Sequence, residues 1–247
     1  MGSKIIEFIG IIFTIQFVLG IHELGHLVTG LIQGFQFELF VVGPLGIKRE
    51  DNKIKVYLNK NLAYYGGVAA VLPVDDNPKN IKKFANVILA GPLSSLVLSI
   101  ICLIFTCFFN FSGELFMFMA GFTSFGIFLA TTIPSKTGTF FSDRKRYQRL
   151  ISKGKERETE IALLRIIGIY GRDNSYKNVN IDDINLVIQD THYQYFGIFC
   201  KLSFQHETTG SFDIKTKANF DELTFTMPKS FVKVIAKELD KLIQVAN

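Results

Sequence analysis

The stretch Ile5-Ile6-Glu7-Phe8-Ile9-Gly10-Ile11-Ile12-Phe13-Thr14-Ile15-Gln16-Phe17-Val18-Leu19-Gly20-Ile21-His22-Glu23-Leu24-Gly25-His26-Leu27-Val28-Thr29-Gly30-Leu31-Ile32 decides the fold. A helix needs about 20 largely apolar residues to cross the hydrocarbon core of a bilayer. This run exceeds that, and only the His22–His26 group interrupts it, near its end. Two further segments are long and apolar enough, at 84–109 and 115–133. No Lys or Arg occurs between Ile5 and Ile47 or between Phe84 and Ser135, where the only charges are Glu7, Glu23, Glu38 and Glu114. Of the 247 residues 48% are hydrophobic and 20% charged, against about 25% charged in a typical soluble domain. Mean hydropathy is +0.27. The expected fold class is therefore mainly α: a multi-pass transmembrane core of about three spans, a small membrane-associated β element and a C-terminal soluble helical domain. The domain boundary is expected at 150/151.

Loop charges set the expected orientation. The segment 48–83 carries Lys48, Arg49, Lys53, Lys55, Lys60, Lys79, Lys82 and Lys83, and Lys136, Arg144, Lys145, Arg146 and Arg149 follow the third span. The link Asn110–Glu114 carries no basic residue. The basic side is cytoplasmic by the positive-inside rule, so the N-terminus is expected outside and the C-terminus in the cytoplasm of a multi-pass cell-membrane protein. The first span lacks a small-residue cleavage site and outruns a signal peptide, so it reads as retained. The net charge of +5 is accounted for by these flanks, and no nucleic acid is expected as a partner. Cys102, Cys107 and Cys200 form no CxxC pair and read as small buried hydrophobes.

Between the first two spans, Gln36–Val42 and the alternating Lys53–Leu58 read as short strands near the membrane face. Ala63–Leu72 is too short to span, and Gly66-Gly67 disfavours a regular helix there, so a re-entrant or interfacial segment is expected. In the C-terminal region, Ile161, Leu164, Ile167 and Tyr170 share one helical face. Phe231, Val234, Ile235, Leu239, Leu242 and Ile243 share another after Pro228. No fixed period supports a repeat array.

His22 and His26 are four residues apart, hence neighbours on one helical face. Two imidazoles so placed suit one tetrahedral Zn2+, with Glu23 beside the open coordination position as catalytic base. Zinc would acidify a water and polarise a peptide carbonyl; Glu23 would take the water's proton and later hand it to the leaving amine. Ionisable residues inside a span are costly and point to function. A catalytic zinc usually takes a third protein ligand. His192 and His206 lie in the soluble region, whereas Asp143 lies just beyond the third span, on the side of the His26 end of span one. Asp143 is the expected third ligand.

Three stretches resemble the site-2 protease family of intramembrane zinc metalloproteases. Ile21-His22-Glu23-Leu24-Gly25-His26 is similar to its zinc helix, Ala90-Gly91-Pro92-Leu93-Ser94-Ser95 to its Gly-Pro-x-x-Asn motif, and Pro134 to Asp143 to its aspartate motif. The resemblance covers about residues 1–150. It implies hydrolysis of membrane-embedded or membrane-associated peptides near the cytoplasmic face, with substrate binding at Gly91, Pro92 and Ser95. It also suggests strand addition of substrate to 36–42. Ser95 stands where the family has Asn, Arg144 where it has Gly, and Thr131 where another Asn is expected. The expected partners are a membrane peptide or protein substrate, the lipid bilayer and an adaptor docked on the C-terminal domain. A catalytically silent membrane adaptor or immunity protein on the same fold is the alternative, and a zinc transporter a third reading.

Overall fold

The computed structural model describes residues 2–50, 52–109, 113–137 and 140–225. The chain divides into two compact units, Met1–Ile151 and Ser152–Asn247. The first contains helix α1 (Gly2–Ile32), strands β1 (Gln36–Val42), β2 (Leu45–Glu50), β3 (Lys53–Leu58) and β4 (Val68–Leu72), helices α2 (Asn80–Phe108) and α3 (Glu114–Thr132), strands β5 (Lys136–Thr137) and β6 (Phe140–Phe141), and helix α4 (Asp143–Ile151). The second contains α5 (Lys155–Asp173), α6 (Ile181–Gln189), α7 (Gln194–Thr209) and α8 (Ile214–Phe225). The expected face at 231–243 lies outside the described residues.

Among the described residues three helices are long and apolar enough to cross a membrane: Lys4–Ile32, Asn80–Phe108 and Glu114–Thr132. They coincide with the three expected spans to within a turn. Without a hydrophobic driving force between helices in lipid, span packing relies on close approach at small residues. Here α2 packs against both α1 and α3, and Val18, Cys102 and Ala120 meet where the three helices converge. A Cβ at Gly25 would stand 2.1 Å from Ser94 Oγ and 2.6 Å from the Ala90 carbonyl, so glycine allows α1 and α2 to cross in contact there. The outward faces carry Phe8, Phe13, Phe17, Leu93, Val97, Phe118 and Phe122, all exposed and suited to lipid.

The four-stranded sheet has the order β3-β2-β1-β4 and is antiparallel throughout. The sequence reading found β1 and β3. It misses β2, because Gly46 and the run Lys48-Arg49-Glu50 mask its alternation, and β4, which lies in the expected re-entrant or interfacial segment. Strand addition to 36–42 is corrected by the pairing: β1 is bonded to β2 on one side and β4 on the other, so it has no free edge. The outer strands are β3 and β4.

The sheet also lies deeper than a surface position. After α1 the chain reverses at Gly34 and β1 runs back along the helix, bringing Val42 against Gly20 and the Gly43 turn against Gln16. At 1.5 Å per residue, Gln16 is about 24 Å from Ile32, in the middle of the candidate span. Backbone groups at that depth need protein partners. Asn59 supplies them: its Nδ2 donates to the Gly43 carbonyl at 2.8 Å, and its backbone N–H donates to the Pro44 carbonyl at 2.7 Å.

In the second unit Ala162, Leu163, Ile166, Tyr176, Val179, Ile184, Val187 and Cys200 form one core. On α5 the members of this core are Ala162, Leu163 and Ile166, while of the expected Ile161-Leu164-Ile167 stripe Leu164 is buried and Ile161 and Ile167 are half-buried. The helix is apolar at nearly every position from Ile161 to Ile169, so periodicity does not choose one face. Glu207 accepts hydrogen bonds from the backbone N–H groups of Tyr176 (2.7 Å) and Lys177 (3.0 Å), tying the α5–α6 loop to α7.

Asn59→Ala is expected to leave the buried Gly43 carbonyl unpaired and to cost about 1–3 kcal/mol. Thermal unfolding in detergent reads this as a lower midpoint, and an unchanged midpoint would contradict the role given to Asn59.

Candidate active site

The α1 helix presents His22 and His26 one turn apart toward α2 and the start of α4. His22 is buried and His26 nearly so. Their Nε2 atoms stand 3.3 Å apart. Asp143 Oδ2 lies 3.3 Å from His22 Nε2 and 3.6 Å from His26 Nε2. Among the described residues this is the one group of three His, Cys, Asp or Glu side chains drawn together as metal ligands would be.

The fit to a metal can be tested on these distances. A tetrahedron with zinc–ligand bonds of about 2.0–2.2 Å has edges of about 3.3–3.6 Å, and the three observed edges fall in that range. Asp143 Oδ2 is itself buried and receives no hydrogen bond. A buried carboxylate oxygen with no hydrogen-bond donor, facing two imidazole nitrogens, fits a cation bound among the three.

Each ring is turned by its other nitrogen. A carbonyl only accepts, so His26 Nδ1–H donates to the Val87 carbonyl at 2.8 Å and the ring's Nε2 is left bare. Pro92 lies five residues on; with no N–H of its own, it leaves the neighbouring Ile88 carbonyl without its helical donor. His22 Nδ1 lies 2.9 Å from Ser95 Oγ. A Cβ at Gly91 would sit 2.2 Å from His26 Nε2, so only glycine leaves the ring its place.

Asp143 opens α4 and is delivered by the β5–β6 hairpin. Ser142 Oγ donates to the Ile133 carbonyl at 2.9 Å and accepts from the Ser135 N–H at 3.0 Å, closing the hairpin at the head of the helix. The guanidinium of Arg146 lies 5.0 Å over the ring of Phe84, which holds α4 against α2.

Glu23 points off the same helix toward the sheet. It packs against Gly67, where a Cβ would come within 2.7 Å of Glu23 Cγ, and it takes a backbone hydrogen bond from Ala69 on β4. Gly67 has φ +97°, a second reason for glycine there. Strand β4, an outer strand, therefore runs directly past Glu23.

The remaining positions singled out in the sequence are accounted for locally. Arg144 stacks over Tyr147, 5.6 Å from the ring centroid. Thr131 Oγ1 donates to the Ile127 carbonyl of its own helix at 2.9 Å. In the second unit the His192 backbone N–H donates to Asp190, and His206 stacks on Phe212. Sequence reasoning missed Gly67, Val87 and the hairpin at Ser142. Gly66-Gly67 was the one visible signal of the first.

No curated protein and no solved structure matches the chain. The family model described as Peptidase family M50 matches residues 10–246. Because that match runs far beyond the metal helix, through nearly the whole sequence, the chain belongs to Peptidase family M50, the site-2 protease family of membrane zinc metalloproteases.

Proposed function

We propose that the protein is an intramembrane zinc metalloendopeptidase that hydrolyses peptide bonds of membrane-embedded or membrane-associated peptides near the cytoplasmic face. The observation that carries this reading is the triangle of His22 Nε2, His26 Nε2 and Asp143 Oδ2, with edges of 3.3, 3.3 and 3.6 Å, and Glu23 on the next position of the same helix. His22, His26 and Asp143 would hold Zn2+, which when bound acidifies a water and polarises the scissile carbonyl. Glu23 takes the proton from the attacking water and returns it to the leaving amine. A substrate segment in extended form suits the outer edge of β4, which passes Glu23, better than β1. Gly91 acts by leaving the His26 ring its place.

The basic flanks support a cytoplasmic C-terminus, and the helical unit from Ser152 onward is the surface we assign to substrate selection or adaptor docking. The Arg144 side chain, engaged with Tyr147, gives no support to a silent adaptor or immunity protein.

Glu23→Gln is expected to keep its zinc and lose cleavage of co-expressed membrane peptides by at least about 100-fold. Processing equal to wild type would eliminate the protease mechanism in favour of the adaptor. Asp143→Ala and Gly91→Ala are each expected to weaken zinc binding at least about tenfold. Metal analysis of the purified proteins is the measurement, and a full zinc complement in Asp143→Ala would remove it from the ligand set. Truncation after Ile151 is expected to retain zinc and lose discrimination among co-expressed peptides; unchanged specificity would refute the role given to the second unit.

A further inference from the structure

We infer that Ser95 is the positioning residue for His22: its hydroxyl accepts the Nδ1 proton and so determines which nitrogen of that ring faces the metal. The inference rests on the zinc-site reading above. His22 Nε2 lies 3.3 Å from both His26 Nε2 and Asp143 Oδ2, so as a ligand it must be bare. The proton of the neutral ring then resides on Nδ1 and needs an acceptor. Inside an apolar bundle there is no bulk water to supply one. Ser95 Oγ, 2.9 Å away, is that acceptor.

The serine is itself fixed. Its side chain is fully buried, and its own carbonyl accepts a hydrogen bond from Ser124 Oγ of α3 at 2.7 Å, so α2 is pinned to α3 at this residue. Full burial also takes Ser95 out of reach of substrate, unlike the family's asparagine role at the matching position. The two rings are thus oriented by different means. His26 uses the Val87 backbone carbonyl, which no substitution removes, whereas His22 uses a side chain. Orientation by such outer partners is known to govern metal affinity in zinc sites. Neighbouring Ser94 provides an internal control, because its Oγ donates to the Ala90 carbonyl of its own helix at 2.7 Å.

The test uses the full-length protein in detergent, stripped of metal and titrated with Co2+. The ligand-field bands report coordination, and competition with a chelator gives the dissociation constant. Ser95→Ala is expected to bind Co2+ about 10–100-fold more weakly and with shifted bands, and Ser94→Ala to match wild type. Ser95→Thr and Ser95→Val have the same shape and differ only in the hydroxyl; threonine should bind at least about tenfold tighter. Wild-type affinity and bands in Ser95→Ala would overturn the inference, as would equal affinities for threonine and valine, which would reduce the effect to packing. A wild-type chain without tetrahedral Co2+ bands would overturn the zinc-site reading itself and this inference with it.

Discussion

Two imidazoles and a carboxylate must be kept within about 3.6 Å of each other between apolar helices, where each unpaired polar group costs several kcal/mol. Much of the first unit is arranged around that constraint. Each histidine has a second partner for its outer nitrogen, and those partners belong to α2, the helix that packs against both other spans. The small residues Gly25, Ala90 and Gly91 bring α1 and α2 close enough for the rings to reach. The hairpin capped by Ser142 then places the carboxylate at the opening of the same space.

The sheet obeys the same rule in another form. Its β1–β2 turn lies against the middle of α1, where backbone N–H and C=O groups have no water to turn to. Asn59 answers the turn with both its side chain and its own backbone N–H. At the other end Lys48 and Lys55 both pair with Glu50, whose carboxyl they hold at about 2. Charge is thus gathered at the end of the hairpin where α1 finishes, and apolar side chains such as Leu45 and Leu58 at the end that lies deeper along it.

What could be read from the sequence was local in character. Apolar length marks a span without any knowledge of its neighbours, and His22 and His26 announce themselves by helical spacing alone. Asp143 was legible only because loop charges put it on the appropriate side. What escaped depends on contacts between distant segments. The pairing of β4 with β1 leaves no mark in Val68–Leu72, which reads equally as an apolar loop. Ser95 looks like a degraded motif position until its distance to His22 is measured. Gly67 matters because of Glu23, more than forty positions earlier, and no periodicity encodes that. On α5 the failure was one of excess: with apolar residues on all sides, the core face followed the shape of the neighbouring helices.

His26 and Asp143 are separated along the chain by α2, α3 and six strands. A ribosome releasing this protein into a membrane would expose the two histidines early and the aspartate only after all three spans had been inserted and the last hairpin had closed. No shorter intermediate holds the three groups together. Completion of the centre is in this sense a report that the membrane unit has been assembled, and a chain arrested before α4 carries Glu23 and both imidazoles but cannot complete the triangle. The order of the residues acts as a clock for biosynthesis.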